Sequence, residues 1–392
     1  MRPSASSKEV RGTGRKMKSI AAVAQEADRF AAQLADELRD DPCNRFQGMP
    51  SDGESRVAYE ALAHGGWIGL HWPESVGGQG LTAAHTDAVE ERFGYQWLPL
   101  CSYLLGVKTI GNAILRFASP ELTERVLPEI TAGRIVFCQG FSEPGAGSDL
   151  ASLRTRAVKQ SGGYLVSGHK IWTSSAQMAD WIYLAVRTDP DAVRPHRGLS
   201  VLLCRMDTPG IQVREFATLG GGSLCEVWLD EVFVPEDQLV GGLNGGWQVL
   251  MGTLDYERVT SEKVGVVARV VDELEAVTKR PEHRSELRAV RGELNAAREL
   301  GREAGRCLMQ GLPASGASSM CKLSVALLCK RVARLGIDVL GAEALIDGGV
   351  HDGIAGKVAA LRRATVGATI AGGASEIQRR VIARRGLGLA AH

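Results

Sequence analysis

"GGYLVSGHKIWTSSA", residues 162–176, is the first of five short runs rich in Val, Ile, Trp and Tyr. The others are "DWIYLAVRTD" at 180–189, "GLSVLLCRM" at 198–206, "IQVREFATL" at 211–219 and "CEVWLDEVFVP" at 225–235. Glycine, proline and aspartate separate the runs at the spacing of antiparallel strands, and no long helix intervenes. This region is therefore predicted to be a compact antiparallel β-barrel or sandwich rather than a parallel α/β sheet.

Helical periodicity flanks the β region on both sides. Upstream, apolar residues recur at steps of three and four at Ile20, Val23, Ala27, Phe30, Leu34 and Leu38. After Trp247 the same period returns at Leu287, Val290, Leu294, Ala297, Leu300, Ala304 and Leu308, and at Leu323, Leu327, Val332 and Leu335. We therefore predict an α+β multidomain chain with an N-terminal α-helical domain at 19–133, a β domain at 134–240 and a C-terminal helical bundle at 241–392.

Composition and charge limit the classes of function. The 392 residues carry 46 Lys and Arg against 45 Asp and Glu, a formal net charge of +1, so there is no broad electrostatic surface for nucleic acid or anionic membrane. No apolar run approaches the roughly 18 residues that cross a bilayer. The eight cysteines form no C-x-x-C pair and no zinc pattern, which predicts no metal site and mostly small buried thiols in a reducing compartment.

Residues 1–18, "MRPSASSKEVRGTGRKMK", contain six basic residues and one acidic residue. They lack the apolar centre of a secretory signal. An Arg- and Ser-rich start is compatible with an organelle transit peptide or with a disordered basic tail. We favour the tail and, with it, a cytoplasmic protein.

Four motifs carry information about chemistry: "FSEPGAGSD" at 141–149, "GHKIWTSSA" at 168–176, "LDYERV" at 254–259 and "GGASEIQRRVIARRGLG" at 372–388. The glycines and proline of the first force an irregular turn that exposes backbone N–H groups, although one such turn alone is often only a turn. In this order and spacing, the four motifs resemble those of the acyl-CoA dehydrogenase family. The resemblance spans about residues 20–390.

This resemblance implies an α-helical domain, a central β-barrel and a C-terminal four-helix bundle, with FAD between barrel and bundle. It also implies a reaction on an acyl thioester, carried by CoA or by an acyl-carrier protein. A base removes the α-proton, the β-hydrogen passes as hydride to flavin N5, and an α,β-double bond forms. The electrons then leave through electron-transfer flavoprotein or a similar acceptor.

By the same resemblance, the first two motifs supply most of the flavin contacts. The Ser142 hydroxyl matches one that bonds the pyrimidine side of the flavin, and Gln139 and Phe141 match positions that contact the ring. Trp172 resembles the residue stacked against the isoalloxazine, although a tryptophan in such a strand is otherwise read as a core residue. Ser174 matches a hydroxyl that donates near N5. Ser148, at the end of the first motif, lies where the family meets the thioester carrier.

The catalytic base is the next residue to identify. Many family members place a Glu immediately before the Gly of the C-terminal turn, but Gly372 occupies that position here. A minority, including the isovaleryl- and long-chain-specific branches, use a Glu in an L-D-x-E-R context, which "LDYERV" matches with Glu257 and Arg258. We predict Glu257 as the base, with its pKa raised by burial. Arg258 is either an anchor for the site and its charge or an ordinary surface arginine.

Glu376 is the competing carboxylate. Its setting "SEIQ" fits a capping box with Ser375 as N-cap and Gln378 at N3, and an acid in a first helical turn is favoured by the helix dipole alone. We predict a structural role for Glu376. Gly372, Gly373 and Ser375 are then expected to let the backbone lie against the adenosine part of FAD and to leave room for the acyl chain.

Two departures from the family pattern affect cofactor binding. "TKRPEHRSELRAV" replaces the usual Arg-x-x-Phe-Gly stretch that reaches a neighbouring subunit's FAD, so Arg284 is the candidate substitute. Ala374 replaces a hydroxyl residue near the adenine, whereas Gly341 still matches a position close to the dinucleotide.

The resemblance also implies a homodimer or homotetramer, or a mixed complex with a homologous subunit. Two alternatives to the dehydrogenase are carried forward. One is a non-catalytic partner subunit that acts as a scaffold, and the other is a flavin-dependent monooxygenase on the same fold.

Overall fold

A computed structural model describes residues 18–38, 56–219, 223–346 and 353–390. The predicted tail therefore lies outside the described residues except for Lys18, and so does Cys43. None of the other seven cysteines forms a disulfide, and six of the seven are buried, as predicted. No helix in these ranges is both long and apolar enough to cross a membrane. The same ranges contain no cluster of His, Cys, Asp and Glu that could hold a metal ion.

The N-terminal part is helical. Its helices are α1 (Ile20–Glu37), α2 (Arg56–His64), α3 (Ala83–Tyr95), α4 (Asn112–Phe117) and α5 (Pro120–Thr131), with a π-helical segment at Tyr103–Gly111 leading into α4. The Ser19 hydroxyl caps α1 by accepting from the Ala22 N–H at 3.3 Å. The stripe predicted for α1 is confirmed by its buried Val23, Ala27 and Leu34, but its first residue, Ile20, is 42% exposed.

The middle part is one sheet of eight strands. These are β1 (Phe137–Gly140), β2 (Arg156–Gln160), β3 (Gly163–Thr173), β4 (Trp181–Arg187), β5 (Leu199–Arg205), β6 (Ile211–Ala217), β7 (Ser223–Pro235) and β8 (Leu239–Val240). The strands are hydrogen-bonded in the order β6-β7-β3-β2-β4-β5-β8, with β1 beside β4. The prediction of antiparallel pairing is confirmed for β2–β3, β3–β7, β4–β5, β5–β8 and β6–β7, but β1 pairs with β4 in parallel. The four residues of β1 are too few to show a strand pattern in the sequence.

The C-terminal part returns to helices: α6 (Gly246–Glu257), α7 (Ser261–Val277), α8 (Pro281–Met309), α9 (Ser315–Leu340), α10 (Gly353–Ala368) and α11 (Ser375–Val381). Helices α7 to α10 pack around one apolar core, which confirms a helical bundle. The stripe of α8 is confirmed, with Leu287, Val290 and Leu294 buried. Of the four positions predicted for the α9 stripe, Val332 and Leu335 are buried and Leu323 is half-buried, but Leu327 is 43% exposed, and Val325 and Leu328 are buried instead. Helix α9 has apolar residues on two faces, and spacing alone does not choose between them.

Two glycines bring the N-terminal helices directly against the bundle. A Cβ at Gly94 on α3 would lie 1.8 Å from the Glu262 carbonyl oxygen, and one at Gly265 on α7 would lie 1.9 Å from that of Glu91. Real Cβ atoms do not approach backbone so closely, so each glycine is required by the other helix. This contact holds α3 against α7. Because Glu257 lies just before α7, the contact also helps to fix the position of Glu257.

We predict that Gly265→Ala lowers the free energy of unfolding by about 1–3 kcal/mol, because the added methyl forces α3 and α7 apart. Gly292→Ala is the matched control, since it lies on the exposed face of α8 with nothing within 4 Å of its Cβ position. It should instead stabilise by about 0.4–1 kcal/mol through reduced backbone freedom of the unfolded chain. Urea unfolding followed by circular dichroism measures both, and equal effects of the two substitutions would contradict the close contact.

Candidate active site

Two of the sequence motifs meet at the end of β1. The Ile171 N–H of β3 donates to the Ser142 carbonyl at 3.0 Å. The Lys170 ammonium donates to the Phe141 carbonyl at 3.2 Å and to Glu143 Oε1 at 2.9 Å. The "FSEPGAG" loop is therefore tied to the "HKIWTSS" strand by backbone and side chain together.

The Glu143–Lys170 ion pair forms the buried centre of this junction. Lys170 is 0% exposed. The Glu143 carboxylate also accepts the backbone N–H groups of Arg154 at 2.7 Å and Thr155 at 2.8 Å. Burial alone would raise the pKa of Glu143, but the adjacent Lys170 ammonium and these donors hold it below its usual value. Both charged groups therefore have their partners within the protein, and the exposed side of the loop remains open to a ligand.

Trp172 stands on the open side of this junction. It is 58% exposed and has a φ of +61°, a left-handed conformation that a bulky residue rarely adopts. Its ring packs edge-to-face with that of Phe216, with ring centroids 5.3 Å apart and the ring planes at 76°. Ser174 follows in the turn after β3 and is half-buried. An exposed aromatic face with a hydroxyl beside it suits a flat aromatic ligand.

Gln139 and Phe141 continue the same wall. Gln139 is half-buried in β1, and Phe141 packs against Tyr183 with ring centroids 5.9 Å apart. Ser142 is also half-buried, whereas Ser148 lies farther along the loop and is exposed. The structure thus groups the residues of the two motifs that were predicted to contact a flavin, and Ser148 is exposed farther along the loop.

Glu257 ends α6 on the other side of the site. The residue as a whole is half-buried, but its Oε2 atom is buried and has no hydrogen-bond partner among the described residues. The Gln139 side chain of β1 lies close enough to lower the pKa of this carboxylate. Burial raises the pKa of Glu257, against the opposing charges of Arg258 and Lys263. A buried carboxylate with one unpartnered oxygen has the properties that proton abstraction requires.

Gly372 forms the wall against that carboxylate. A Cβ at Gly372 would lie 3.0 Å from Glu257 Oε1, and its φ is +65°. The position where many family members carry their Glu therefore lies against the Glu257 carboxylate in this chain. The Glu257 carboxylate, which comes from α6, fills the space beside the turn. A side chain at position 372 would have to occupy the same space.

Arg258 faces the same turn and is buried rather than on the surface. Its Nε donates to the Gly372 carbonyl at 3.1 Å, and its Nη1 donates to Asp255 Oδ1 at 3.2 Å. These contacts make Arg258 an anchor between α6 and the glycine turn.

The capping box predicted for α11 is wrong. The N-cap is Ala374, and the Ser375 hydroxyl donates to the Thr369 carbonyl at 3.4 Å. The Gln378 amide instead donates to the carbonyls of Gly372 and Gly373, both at 3.0 Å. Glu376 has a side chain 81% exposed and lies 3.7 Å from Arg379, which agrees with a surface position.

Two predicted FAD contacts lie on other parts of the bundle. Arg284 is exposed in the first turn of α8, where its Nε donates to the Thr278 carbonyl at 3.3 Å. Gly341 follows the end of α9 with a φ of +69° and nothing within 4 Å of its Cβ position.

A second cluster of buried charges lies behind α6. Lys108 Nζ is 2.5 Å from Glu90 Oε2 and 2.9 Å from Glu262 Oε2. Burial raises the pKa of Glu90 to about 7 and that of Asp87 to about 6. A cavity of about 40 Å³ borders these groups, and Tyr256 and Val259 form part of its wall.

Sequence reasoning missed three residues of the site: Lys322, Gln378 in its actual role, and Glu143 as the partner of Lys170. Lys322 is buried on α9, and its Nζ donates to the Gly373 carbonyl at 2.7 Å. A lone lysine within the apolar run "CKLSVALLC" was the available signal. The Lys170 partnership had no signal, since it depends on how a loop and a strand pack.

Three family models match the chain in order. The N-terminal, middle and C-terminal domains of acyl-CoA dehydrogenase match residues 18–134, 138–232 and 244–387. Together they span most of the chain.

Curated relatives and solved structures agree with that match. Acyl-CoA dehydrogenase IpdE1 of Mycobacterium tuberculosis is 33% identical over 386 residues, covering 93% of this chain and 98% of that protein. Acyl-CoA dehydrogenase FadE26 of the same organism is 30% identical, covering 92% and 94%. The structure of a steroid ACAD, Tcur3481-Tcur3483, superposes with a TM-score of 0.85 at 29% identity, covering 96% and 99%. The ChsE4-ChsE5 complex of M. tuberculosis gives 0.82 at 28%, covering 97% and 100%.

We predict that Lys170→Met lowers the free energy of unfolding by about 3–5 kcal/mol, because it leaves the Glu143 carboxylate buried without its cation. Lys159→Met is the control, because Lys159 pairs with Glu236 at 2.6 Å on the exposed surface of the same sheet. The control should unfold close to the wild-type urea midpoint. A Lys170→Met protein as stable as the control would show that the buried pair does not hold the loop.

Proposed function

Because this chain belongs to the acyl-CoA dehydrogenase family, we propose that it forms an α,β-double bond in an acyl thioester with Glu257 as the base. The enzyme is an oxidoreductase of that family, and its cofactor is FAD. The single observation that carries the assignment of the base is the Glu257 carboxylate, buried against Gly372 with one oxygen unpartnered.

The residues present fit the cofactor. Trp172 offers an exposed aromatic face, and Ser142 and Ser174 offer half-buried hydroxyls beside it. The Gln139 side chain, on the same wall, lies close enough to Glu257 to lower the pKa of its carboxylate. When bound, FAD supplies the acceptor for the β-hydrogen of the substrate, which leaves as hydride. The protein's own task is to bind and orient the ring and to remove the α-proton.

Proton removal is assigned to Glu257. In the ionised state, the unpartnered Oε2 accepts the α-proton of the acyl thioester and forms its O–H bond. Burial raises the pKa of the carboxylate and so makes it a stronger base than an exposed Glu, while the neighbouring cations Arg258 and Lys263 oppose that rise. Arg258 contributes as a positioning residue, because its guanidinium is engaged by Asp255 and by the Gly372 carbonyl.

The substrate proposed for first testing is a CoA thioester of a steroid-type acyl group. Support comes from the steroid ACAD structure, which shares 29% identity across nearly the whole chain. Carrier-protein thioesters are the alternative carrier, with Ser148 on the exposed loop as the proposed contact. Electron-transfer flavoprotein or a similar protein is the proposed electron acceptor, and the cytoplasm is the proposed compartment.

A second candidate is a partner subunit of a mixed complex. It is favoured by the paired names of two similar structures, Tcur3481-Tcur3483 and ChsE4-ChsE5. The replacement of the Arg-x-x-Phe-Gly stretch, with Arg284 as substitute, agrees with an altered subunit contact. A scaffold subunit has no need of a buried Glu257, and neither has a flavin monooxygenase, so the dehydrogenase remains the proposal.

We predict that Glu257→Gln retains flavin but slows its anaerobic bleaching by saturated acyl-CoAs at least 10³-fold, on the order expected for a lost general base. Glu376→Gln is the matched control, because its carboxylate is exposed in the neighbouring turn. The control should bleach at the wild-type rate. Normal turnover by Glu257→Gln would remove it as the base, and oxygen consumption with a reductase in place of bleaching would indicate the monooxygenase.

The pH dependence gives a separate prediction. Glu257 must be ionised to accept the proton, so kcat/KM falls as the pH drops through its pKa in the free enzyme. Burial raises that pKa, and the acidic limb is therefore expected above the ordinary value of 4.5. A stopped-flow profile that stays flat down to pH 4.5 would contradict a buried base.

The oligomer alternative is tested by purifying the chain alone. We expect a yellow protein with one FAD per chain in a dimer or tetramer, measured by absorbance and light scattering. A colourless preparation that takes up FAD only with a homologous subunit would establish the mixed complex instead.

A further inference from the structure

Gly372 and Gly373, which lie between α10 and α11, form a turn that has no side chain of its own to hold it. Both residues have left-handed φ values, +65° and +99°. A Cβ at Gly373 would lie 2.5 Å from Gln378 Nε2, so side chains are excluded by contact as well as by conformation. The position of the turn must therefore come from groups that donate to its two carbonyls.

Three side chains from three helices supply those donors. Arg258 Nε reaches the Gly372 carbonyl, Gln378 Nε2 reaches both carbonyls, and Lys322 Nζ makes the shortest contact, 2.7 Å to the Gly373 carbonyl. Gln378 is 0% exposed, and Lys322 is only 5% exposed. Burying a lysine ammonium is unfavourable unless it is compensated, so Lys322 at this place requires an explanation.

The turn and the base are in direct contact. Gly372 lies against Glu257 Oε1, as its Cβ distance shows. Movement of the Gly373 carbonyl away from Lys322 would move the Gly372 backbone, and the wall beside the carboxylate would open. Water could then reach the carboxylate, and its orientation toward the substrate's α-carbon would no longer be fixed.

Charge adds a second effect to this geometry. The groups that act on Lys322 are Lys263 of α7, Glu257 and Arg258 of α6 and Glu376 of α11. Burial lowers the pKa of Lys322 to about 8, with Lys263 adding to the decrease, so the ammonium is charged at neutral pH. In turn, Lys322 lowers the pKa of Glu257. Burial, the largest effect, raises that pKa, and Arg258, Lys263 and Gln139 each lower it more than Lys322 does.

We propose that Lys322 is a positioning residue for Glu257. It holds the Gly373 carbonyl so that Gly372 closes against the carboxylate, and its ammonium adds to the positive charge around that carboxylate. This inference rests on the proposed function, because it assumes that Glu257 is the base.

The experiment compares Lys322→Met with three other variants. Lys322→Gln removes the charge but keeps an amide donor for the Gly373 carbonyl. Lys263→Met removes a charge near Glu257 from α7. Lys330→Met is the matched control, an exposed lysine two turns farther along α9. Each holoenzyme is assayed for flavin content, for thermal midpoint, and for the pH profile of kcat/KM with an α-deuterated CoA thioester of the substrate found to bleach the wild type.

Lys322→Met is expected to keep its flavin, lower kcat on the order of 10²-fold and move the acidic limb to higher pH. Lys322→Gln should show the same shift of the limb with a smaller loss of kcat, and Lys263→Met should show mainly the shift. Lys330→Met should match the wild type. A Lys322→Met enzyme with an unchanged limb and kcat within twofold of the wild type would overturn the proposal. If Lys322→Met does not fold, the pH profile of Lys322→Gln is used in its place. An acidic limb at the same pH as in the wild type would then overturn the proposal.

A readout without turnover separates this inference from the proposed function. The side-chain carboxyl carbon of Glu257 is followed by ¹³C NMR in the holoprotein and assigned through Glu257→Gln. A higher pKa of Glu257 in Lys322→Met than in Lys330→Met supports the placement of Lys322 even if no acyl thioester is oxidised. Equal pKa values in the two variants would overturn the placement even if the enzyme is an active dehydrogenase.

Discussion

One buried carboxylate, pressed against a turn without side chains, determines the arrangement of the site. Glu257 ends α6 with an oxygen that has no partner, and Gly372 of a distant turn closes the space beside it. A charge in such a place is unfavourable unless its surroundings are fixed. The neighbouring polar groups can be understood from this requirement: Arg258 and Lys322 hold the turn by its carbonyls, and Gln139 links the carboxylate to the sheet.

The sheet side depends on a separate buried pair. Glu143 and Lys170 join the "FSEPGAG" loop to β3, and the strained Trp172 follows two residues after Lys170. A residue with a left-handed φ persists only where its neighbours are held firmly. The buried pair and the adjoining backbone bond from Ile171 to Ser142 provide that support. The aromatic wall and the carboxylate wall are thus built independently and meet at Gln139.

The sequence was sufficient for elements with one clear apolar face. The stripes of α1 and α8 were predicted correctly, because only one set of spacings was apolar. It was insufficient where the same sequence is compatible with more than one packing. The spacing in α9 predicts a buried Leu327, which is exposed in the structure. Strand β1 is too short to be recognised from the sequence as a parallel strand. The sequence "SEIQ" also fits a capping box, but in the structure the Gln378 amide donates to the carbonyls of the glycine turn instead. The burial of Glu257 followed from a motif, whereas Lys322 depends on the packing of three helices and could be located only in the folded chain.

The reciprocal glycine contact of α3 and α7 has a consequence for how such chains can be recombined. Backbone of α3 packs directly on backbone of α7 at Gly94 and Gly265, so no side chain fits between the two helices at these points. A hybrid gene that joins the first third of one relative to the remainder of another would need small residues at both positions, and a single mismatch would prevent the two pieces from docking.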